Sequence, residues 1–370
     1  MSIENYIAFG DCRSILSGWR DENVKVQTVV TSPPYWGLRD YGTGTWEGGD
    51  QNCDHVSNPL ATKQFGNEDF NINRPSRNET KLPGYYSDVC PKCGAMRFDK
   101  QIGQEKSPDE YVSSIVDIFD KIWEMLSDDG TIWLNIGDTY ASSRGGLASP
   151  PQTIANGSNR DMPNSYSVNR NAKLFNLKHK DLVGIPWRVA FALQSRGWYL
   201  RQDIIWSKPN PVPESVKDRC TKSHEYIFLL SKSEKYYFDS KSIAEQAKWD
   251  RWGNQTVNKD QPGAAAWIEP KSKAELQERT TKNKRSVWSV ATKPYAGAHF
   301  ATFPPELITP CILAGSKRGD IVLDPFMGSG TTAAVARTLG RKYLGCELNE
   351  SYKTLQEKRL QQIILQFDNN

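Results

Sequence analysis

A glycine-containing loop between a strand and a helix constrains the fold of this chain more than any other sequence feature. The short apolar run 321–323 predicts a strand, the loop 324–330 follows it, and residues 331–339 have the composition of a helix. A second predicted strand, 342–346, comes directly after that helix. Strands that alternate with helices in this way predict a doubly wound α/β sheet.

Two glycines in this loop and an acidic residue after the second strand indicate a ligand site. Gly328 and Gly330 let the backbone turn tightly and approach a ligand, and Glu347 stands where a carboxylate can hold ribose hydroxyls. Three kinds of ligand-binding loop are candidates here, and the alternative is a tight strand-to-helix turn that binds nothing. Ala333 loosely satisfies a dinucleotide fingerprint, whereas Thr331 stands where a Walker loop needs lysine and excludes it. The third candidate is an S-adenosylmethionine loop, which binds no phosphate.

A proline-rich turn follows an earlier predicted strand. The β-branched run 24–30 ends at TSPPYW, residues 31–36, and two prolines cannot continue a strand ladder. The prolines make the turn rigid and remove two N–H donors, so its oxygens act as acceptors. Tyr35 adds a flat stacking face, and this combination suits the exocyclic amino group of a planar base. Taken alone, the segment is better explained as a rigid loop with an incidental tyrosine.

Together, the two segments resemble the amino-group DNA methyltransferases. TSPPYW at 31–36 is similar to the catalytic (D/N/S)PP(Y/F/W) motif of that family, and DPFMGSGTT at 324–332 is similar to its cofactor loop. The catalytic motif precedes the cofactor loop, which is the arrangement of the β class. Other similar blocks are residues 9–12, 205–210, 224–226 and 299–304, and the resemblance covers residues 5–40, 110–140, 180–240 and 287–360.

The resemblance implies a fold and a cofactor. The implied fold is α/β, a Rossmann-like class I methyltransferase sheet of seven strands that is assembled from both chain ends and carries loop-rich insertions. The implied cofactor is S-adenosylmethionine. The residues that would bind it are Asp11, Thr31, Phe303, Asp324, Phe326, Gly328, Gly330, Thr331 and Glu347.

The resemblance also implies a reaction, which is DNA methylation of the kind found in restriction–modification. A methyl group would move to the exocyclic amino group of a base flipped out of double-stranded DNA, with Ser32, Pro33, Pro34 and Tyr35 as catalytic residues. Ser32 and the Pro33 carbonyl would accept hydrogen bonds from the amino group and leave its nitrogen more nucleophilic. Tyr35 would stack on the extruded base. Positioning would supply most of the acceleration.

The first residue of the catalytic tetrapeptide bears on the target base. Serine is usual in the N4-cytosine enzymes of the family, whereas aspartate and asparagine are usual in the N6-adenine enzymes. Ser32 therefore favours N4 of cytosine, with N6 of adenine as the alternative. Methylation at C5 of cytosine would need a cysteine nucleophile and a glutamate. Cys311 lies in a predicted helix and Glu22 in a turn, so we interpret their presence as coincidence.

Four potential metal ligands lie in residues 40–107, a loop-dominated segment rich in Gly, Asn, Asp and Pro. Cys53 and His55 form a C-x-H pair, and Cys90 and Cys93 form a C-x2-C pair followed by glycine. Four such ligands can form a closed tetrahedral zinc site, which would stabilise an insertion of low apolar content. We predict a structural zinc; the alternative is four unrelated residues, since isolated cysteines also occur in this chain.

These features divide the chain into regions. The predicted methyltransferase domain comprises residues 1–40, 108–240 and 287–370, the zinc-containing insertion comprises 41–107, and the candidate target-recognition region comprises 241–286. Residues 231–290 contain 12 basic and 8 acidic residues, and their net charge of +4 equals that of the whole chain. They are the best candidate for a phosphate-facing surface, with a merely solvated face as an equal alternative.

Further elements are predicted between the motifs. Ser107, Pro108 and Glu110 form a strong helix start, and this helix should end at Asp129-Gly130 before a strand at 131–136. The remaining predictions are a helix at 181–196, strands at 199–206 and 225–231, a possible strand at 236–239, and a polar loop at 141–176.

The composition is that of a mildly basic globular protein. The chain has 370 residues, of which 38% are hydrophobic, and its 12 Trp, 15 Tyr and 13 Phe argue against disorder. The mean hydropathy of −0.63 indicates sizeable polar loops. No apolar stretch approaches the roughly 18 residues of a membrane span, and the N-terminus lacks a signal-peptide pattern. We expect a cytoplasmic protein without a membrane partner, whose seven cysteines are thiols or metal ligands. The oligomeric state stays open.

Two other functions fit parts of the sequence. A methyltransferase of RNA or of protein amides can use an NPPY-like loop, although the C-terminal position of the cofactor loop argues against it. A catalytically silent, zinc-containing DNA-binding protein would have no need of intact TSPPYW and DPFMGSGTT motifs. Cofactor binding distinguishes this last function from the enzymes. No nuclease motif is recognisable, so we expect no fused restriction activity.

Overall fold

The computed structural model describes residues 3–38, 41, 43–55, 89–90, 92–141, 176–246, 281–292 and 303–367, with side chains described to residue 361. The predicted polar loop at 141–176 lies outside these residues except at its two ends, and of the candidate target-recognition region at 241–286 only 241–246 and 281–286 are described. The middle of the insertion, 56–88, lies outside the described residues as well. In the described part of the chain, no helix combines the length and the apolar character needed to cross a bilayer.

Twelve strands and six helices form within the described residues. The strands are β1 (Tyr6–Phe9), β2 (Val26–Thr31), β3 (Thr45–Glu47), β4 (Met96–Phe98), β5 (Leu126–Ile136), β6 (Tyr199–Ser207), β7 (His224–Ser231), β8 (Glu245–Gln246), β9 (Thr281–Lys282), β10 (Val287–Ser289), β11 (Ile321–Asp324) and β12 (Lys342–Glu347). The helices are α1 (Cys12–Asp21), α2 (Pro108–Met125), α3 (Ile185–Ser195), α4 (Pro305–Gly315), α5 (Thr331–Thr338) and α6 (Lys353–Phe367).

The central sheet confirms the predicted Rossmann-like α/β fold. Its strand order is β1-β12-β11-β2-β5-β7-β6-β10. Only β7 runs against its neighbours β5 and β6, and the other pairs are parallel. The described sheet has eight strands where seven were expected, because Val287–Ser289 pairs with the edge of β6.

The sheet is assembled from both ends of the chain, as predicted. Tyr6 in β1 pairs with Leu344 in β12, and Val29 in β2 pairs with Leu323 in β11. Successive side chains of a strand point to opposite faces, and Val29 and Val30 accordingly belong to two different apolar clusters. One cluster packs α1, α2 and α3 on the first face, and the other packs α4 and α5 on the second.

Helix α2 begins where the sequence predicts and ends earlier. The Ser107 side chain caps the helix by accepting a hydrogen bond from Glu110 N at 3.1 Å. The helix ends at Met125, and the chain enters β5 at once, so the prediction that Asp129-Gly130 stops the helix is wrong. The reason is a bulge at the start of β5, where register shifts between the pairs of Val26 and Thr28.

Two further boundaries differ from the prediction. Helix α3 begins at Ile185 and not at 181, because Gly184 takes a left-handed conformation (φ +79°) that ends the preceding turn. The possible strand at 236–239 is absent from the described structure. Tyr237 N donates to Asp129 O and Asp239 N donates to Ala314 O, so this segment is tied to two separate elements and forms no ladder.

The described part of the insertion is built around a short ribbon. Strands β3 and β4 pair antiparallel, with Thr45 opposite Phe98. The four predicted metal ligands lie at the distal end of this pair, Cys53 and His55 after β3 and Cys90 and Cys93 before β4. We refer to residues 43–55 and 89–99 as the Cys/His ribbon.

Candidate active site

The ends of four parallel strands bring the two sequence motifs together. Thr31 ends β2, Asp324 ends β11 and Glu347 ends β12, while Asp11 lies two residues beyond β1. The connections after β11 and β2 lead to opposite sides of the sheet, so a crevice forms outside the carboxyl ends of these strands, where ligands of such sheets bind. Because β7 is antiparallel, its first residues, including Glu225, lie at the same edge.

Asp324 connects the end of β2, just before the predicted catalytic motif, to the predicted cofactor loop. Its Oδ1 accepts hydrogen bonds from Thr31 Oγ1 at 2.6 Å and from Phe326 N at 3.0 Å. Its Oδ2 accepts one from Thr332 Oγ1 at 2.6 Å. The residue is only 1% exposed, and this burial raises the pKa of its carboxyl to about 6. These hydrogen bonds support a role for Asp324 in fixing the conformation of the glycine loop. Direct contact between Asp324 and the cofactor stays a prediction.

The glycine loop and Glu347 form a cradle. Gly328 N donates to Glu347 Oε2 at 2.7 Å, and Asn349 N donates to Glu347 Oε1 at 2.8 Å. Gly328 and Gly330 both have positive φ (+53° and +82°), which favours glycine. A Cβ on Gly328 would meet only Phe326 O, at 3.9 Å, so the loop leaves room for a ligand there. Burial raises the pKa of Glu347 to about 7.

Helix α6 anchors the loop from behind. Gln356 Nε2 donates to Gly328 O at 2.6 Å. Arg359 Nη1 donates to Ser329 Oγ at 2.8 Å and to Thr331 Oγ1 at 2.9 Å. The predicted cofactor residue Thr331 is therefore buried and held by protein. Sequence reasoning missed both anchoring side chains, because an amphipathic helix shows which face is apolar but not which polar residue reaches a neighbouring loop.

Asp11 lies at the same edge of the sheet, just beyond the end of β1. It caps α1 by accepting from Arg13 N at 3.0 Å, and Arg13 Nη2 also donates to it at 2.8 Å. Burial raises the pKa of Asp11, but the hydrogen bonds and charge of Arg13 outweigh that effect, and the net direction is a lowered pKa. Gly10 N donates to Glu347 O at 2.8 Å, which ties this end of β1 to Glu347.

The two predicted aromatic cofactor residues lie against different apolar clusters. Phe326 packs on the cluster that contains α1 to α3, and Phe303 packs on the cluster that contains α4 and α5. They are thus on opposite sides of the sheet edge that carries the glycine loop. Within the described residues no contact joins the two rings, and their part in cofactor binding stays a prediction.

Residues 32–36, which follow β2 and are called the catalytic loop below, make hydrogen bonds to several other elements. Tyr35 OH donates to Glu225 Oε2 at 2.7 Å and lies 3.2 Å from Asn135 Oδ1. Ser32 Oγ lies 3.4 Å from the same hydroxyl, and Tyr111 OH donates to Pro34 O at 3.0 Å. Pro33 is buried. In the described part of the chain, no donor occupies the Pro33 carbonyl.

A polar cluster behind Tyr35 was not identified from the sequence as functional. Glu225 forms an ion pair with Lys208 and accepts from Asn135 Nδ2 at 3.3 Å. Burial, followed by the charge of Glu225, raises the pKa of Tyr35 well above 10, so the phenol stays protonated and donates. Its ring lies against Gly137, where a Cβ would be 2.5 Å from Tyr35 Cε2. The available signals were the family-like blocks 205–210 and 224–226, which contain Lys208 and Glu225, and Asn135, a polar residue in the otherwise apolar end of β5.

The residues that superficially fit C5-cytosine chemistry lie in other surroundings. Cys311 is inside α4, 1% exposed, and its thiol donates to Leu307 O at 3.7 Å. Burial raises the pKa of this thiol far above its usual value, so it is a poor nucleophile. Glu22 is the exposed C-cap of α1. Neither residue belongs to the crevice.

The four predicted metal ligands come together although 34 residues separate His55 from Cys90 along the chain. Their ligand atoms all lie within 4.8 Å of one another. Cys53 Sγ is 3.8 Å from Cys90 Sγ, and Cys93 Sγ is 3.4 Å from His55 Nδ1. Tetrahedral zinc with its usual bond lengths separates two sulfurs by about 3.8 Å, and a sulfur from a nitrogen by about 3.5 Å. The donor set and its spacing therefore fit zinc.

The backbone supports this cluster. Gly94 N donates to Cys90 O at 2.8 Å and Cys90 N donates to Ala95 O at 2.6 Å, which closes the turn between the two cysteines. The Trp46 ring stacks on the His55 ring with 5.3 Å between centroids. Gly49 has φ +69°, and a Cβ there would lie 2.7 Å from Cys93 Sγ. Residues outside the ligand set thus pack closely against it.

Comparison with known proteins identifies relatives along nearly the whole chain. A family model described as DNA methylase (N6_N4_Mtase) matches residues 26–358. Type II methyltransferase M.Cfr9I of Citrobacter freundii is 40% identical over 352 residues, covering 95% of this chain and 86% of the relative. Type II methyltransferase M.SmaI of Serratia marcescens is 40% identical over 354 residues, covering 96% of this chain and 90% of the relative.

Solved structures share the fold. PvuII DNA methyltransferase (cytosine-N4-specific) superposes with a TM-score of 0.52 and 16% identity, over 97% of this chain and 87% of that chain. A putative DNA modification methylase of Thermus thermophilus, complexed with S-adenosyl-L-methionine, superposes with a TM-score of 0.50 and 18% identity, over 97% of this chain and 94% of that one. With the motifs, the crevice and these relatives together, the chain belongs to the N6/N4 DNA methylase family of S-adenosylmethionine-dependent DNA methyltransferases.

Proposed function

We propose that the protein methylates N4 of cytosine at a specific site in double-stranded DNA. The observation that carries the proposal is that Ser32-Pro33-Pro34-Tyr35 lies directly after β2, joined through Thr31 and Asp324 to the glycine loop. The tetrapeptide and the cofactor cradle therefore form one rigid unit. Serine as its first residue favours cytosine, by the family pattern given above. N6 of adenine is the alternative target.

The loop residues prepare the attacking nitrogen. Ser32 Oγ and the Pro33 carbonyl are the proposed acceptors for the two amino hydrogens, which localises the lone pair on nitrogen. Bound S-adenosylmethionine supplies an electrophilic methyl group on its sulfonium sulfur. Transfer would join that methyl group to the amino nitrogen, with S-adenosylhomocysteine as the leaving group and the surplus proton of the nitrogen released to solvent. Pre-set acceptors and alignment lower the barrier without covalent help from the protein.

The cofactor residues have separate proposed tasks. Glu347 would accept hydrogen bonds from the ribose hydroxyls, since its carboxylate lies beside the open side of Gly328. Asp11 adds a second carboxylate at the end of β1. Asp324 acts as a positioning residue, because its oxygens are engaged by Thr31, Thr332 and Phe326 N.

Tyr35 is the proposed stacking surface for a base flipped out of the duplex. Its ring is backed by Gly137 and its hydroxyl is held by Glu225, so the ring is pre-positioned before DNA binds. A paired base hides its amino group in the duplex, and flipping exposes it. Stacking tolerates any base, so it supports extrusion without selecting cytosine.

The division of labour along the chain is also a proposal. The catalytic domain would comprise 1–40, 108–240 and 287–370, and target recognition would fall to 241–286, whose basic character suits DNA phosphates. The insertion 41–107 would hold a structural zinc. We further propose a cytoplasmic location, in the compartment where DNA and S-adenosylmethionine meet.

Identification of the methylated nucleoside tests the main proposal. The protein is incubated with DNA and S-adenosylmethionine, the DNA is digested to nucleosides, and the product is identified by mass spectrometry. N4-methylcytosine is the expected product. N6-methyladenine would retain the mechanism and overturn the base assignment, and no methylated base despite cofactor binding would redirect the search to RNA or protein amides. A Ser32→Ala variant should lose at least about tenfold in rate, as loss of one charge-stabilising hydrogen bond does.

Metal analysis tests the zinc proposal. Protein purified without chelator should contain about one zinc per chain, and less than half a zinc would contradict the site. Cys93→Ser should lose the metal, because it removes one of the four ligands. Cys220→Ser is the matched control, since Cys220 is an exposed cysteine outside the cluster and its loss should leave zinc content unchanged.

A further inference from the structure

We infer that the Cys/His ribbon controls the affinity for S-adenosylmethionine. The base of the ribbon contacts Arg13 and Asn349, and these two residues hold the carboxylates of Asp11 and Glu347, which are proposed to bind the cofactor. The inference rests on the zinc site and the cofactor cradle proposed above. A structural metal would then have a measurable effect on a separate binding site.

The described residues of the ribbon contribute few apolar contacts apart from those at the ligand cluster. Each of its strands has three residues, and Thr45, Glu47, Met96 and Phe98 are exposed. Two-stranded ribbons of this kind are marginal in water. Its buried residues, Cys90 and Ala95, lie at the ligand cluster itself. Zinc bound there would supply folding free energy that the ribbon otherwise lacks.

The base of the ribbon is ordered by paired polar contacts. Thr43 Oγ1 donates to Asp99 Oδ1 at 2.9 Å, and Tyr41 N donates to Gln101 Oε1 at 2.7 Å. Arg97 forms an ion pair with Asp99 at 3.0 Å. The first two contacts join the two chain segments that leave the distal cluster, and the ion pair braces the second of these segments, so order at the cluster extends to Tyr41 and to the residues after β4.

The first link runs from the base to Asp11. Arg13 Nη2 donates to Lys100 O at 3.1 Å, and the same guanidinium donates to both carboxylate oxygens of Asp11. Lys100 follows β4 by two residues. If this backbone segment shifts, Arg13 loses an acceptor that fixes its guanidinium, and Asp11 is held less firmly.

The second link runs from the base to Glu347. Asn349 Nδ2 donates to Tyr41 O at 3.2 Å, while Asn349 N donates to Glu347 Oε1 at 2.8 Å. Asn349 therefore bridges the start of the insertion and the carboxylate beside the glycine loop. Two independent links thus connect one ribbon to two carboxylates of the same crevice.

The segment that returns from the ribbon also contacts the catalytic loop. Gly103 O accepts from Gly37 N at 2.9 Å, and Ile102 is buried in the main core. A Cβ on Gly103 would lie 3.1 Å from Tyr35 O. The ribbon is therefore anchored at both ends beside the active site, and the distal cluster is the part that depends on metal.

Cofactor affinity with and without zinc tests the coupling. The dissociation constant for S-adenosylmethionine is measured by calorimetry on the full chain as purified, after zinc removal with chelator, and after zinc is restored. We expect the affinity to fall about tenfold on removal, a typical coupling between sites, and to recover on re-addition. Unchanged affinity after verified metal loss overturns the coupling, while the zinc site and the methyltransferase proposal both stand.

Variants separate the links from general damage to the fold. In the double variant Arg13→Lys/Asn349→Ala, the zinc content should stay at the wild-type value. Its affinity for the cofactor should be weak with or without the metal, because both links are cut. A variant that keeps the full zinc dependence contradicts the links. Cys93→Ser should weaken cofactor binding as chelation does, and Cys220→Ser should not. Absence of zinc from the native protein overturns both this inference and the metal site, whereas absence of cofactor binding in the zinc-loaded protein overturns the proposed function.

Discussion

At the scale of single residues, the buried carboxylate of Asp324 connects the end of β2 to the glycine loop after β11. Asp324 accepts hydrogen bonds from Thr31 and Thr332, and it is separated from Thr31 by 293 positions in the chain. The motif patterns indicated that Asp324 belongs to the cofactor site. They did not indicate that its oxygens face inward, because side-chain direction at a strand end depends on the neighbouring strand.

The ring of Tyr35 should contribute more to methylation than its hydroxyl. Tyr35→Ala removes the stacking surface and should lower the single-turnover rate by about 10- to 100-fold, from the usual energy of base–aromatic stacking. Tyr35→Phe keeps the ring, and Lys208 and Asn135 still satisfy Glu225, so its rate should fall by less than about tenfold. Tyr199→Ala is the control, because Tyr199 is an exposed tyrosine at the opposite end of β6. An unaltered rate for Tyr35→Ala would contradict the stacking role.

The affinity for S-adenosylmethionine should depend on pH through Glu347. Its pKa is raised to about 7 by burial, and the ionised form accepts more hydrogen bonds from ribose hydroxyls than the protonated form. Binding therefore favours ionisation, and wild-type affinity relative to Glu347→Gln should increase as pH rises from about 6 to 8. The ratio of the two dissociation constants, measured at each pH, removes the titration of the ligand itself. A ratio that does not change with pH would exclude this role.

At the scale of elements, the start of helix α2 followed local sequence and its end did not. The cap of α2 needs only Ser107, Pro108 and the first-turn amides, all adjacent in the chain. Its end at Met125 follows from the pairing of Leu126 with Val26, a residue 100 positions away. Gly130 was interpreted as a helix stop, whereas it lies in β5 where a Cβ would be 2.5 Å from Leu126 Cγ.

The cap of α2 should have a measurable effect on stability. Ser107→Ala removes the acceptor for Glu110 N and should lower the free energy of unfolding by about 1 kcal/mol. Ser113→Ala changes an exposed serine on the same helix and should stay within about 0.5 kcal/mol of wild type. Urea unfolding followed by circular dichroism measures both. Equal effects of the two variants would show that the cap does not stabilise the helix.

At the scale of the whole molecule, the crevice depends on strands from both ends of the chain. β1 and β2 come from the first 31 residues, while β11 and β12 come from residues 321–347. The other half of the sheet, from β5 to β10, carries Asn135, Lys208 and Glu225 to the same edge. One half therefore provides the proposed cofactor cradle, and the other supports Tyr35, the proposed stacking residue.

Hydrogen exchange should report this division. Binding of S-adenosylmethionine should slow exchange in residues 10–13, 326–332 and 347–350 together, because these segments surround one cradle. Strand β10 and the outer edge of β6 should not change, since they lie at the far end of the strand order. Protection of only one of the three segments would contradict a shared cofactor site.

The sequence by itself determined the α/β class, the two motifs in their order, the candidate metal-ligand pairs and most strand positions, because these depend on residue types at short spacing. The relatives confirm the family, and the structure confirms the sheet and brings Cys53, His55, Cys90 and Cys93 together. Only the tertiary structure decided that Glu225 holds Tyr35, that Arg359 anchors the glycine loop and that the ribbon base reaches Asn349. These contacts join residues far apart in the chain, and their geometry follows from the packing of the sheet and not from any local pattern.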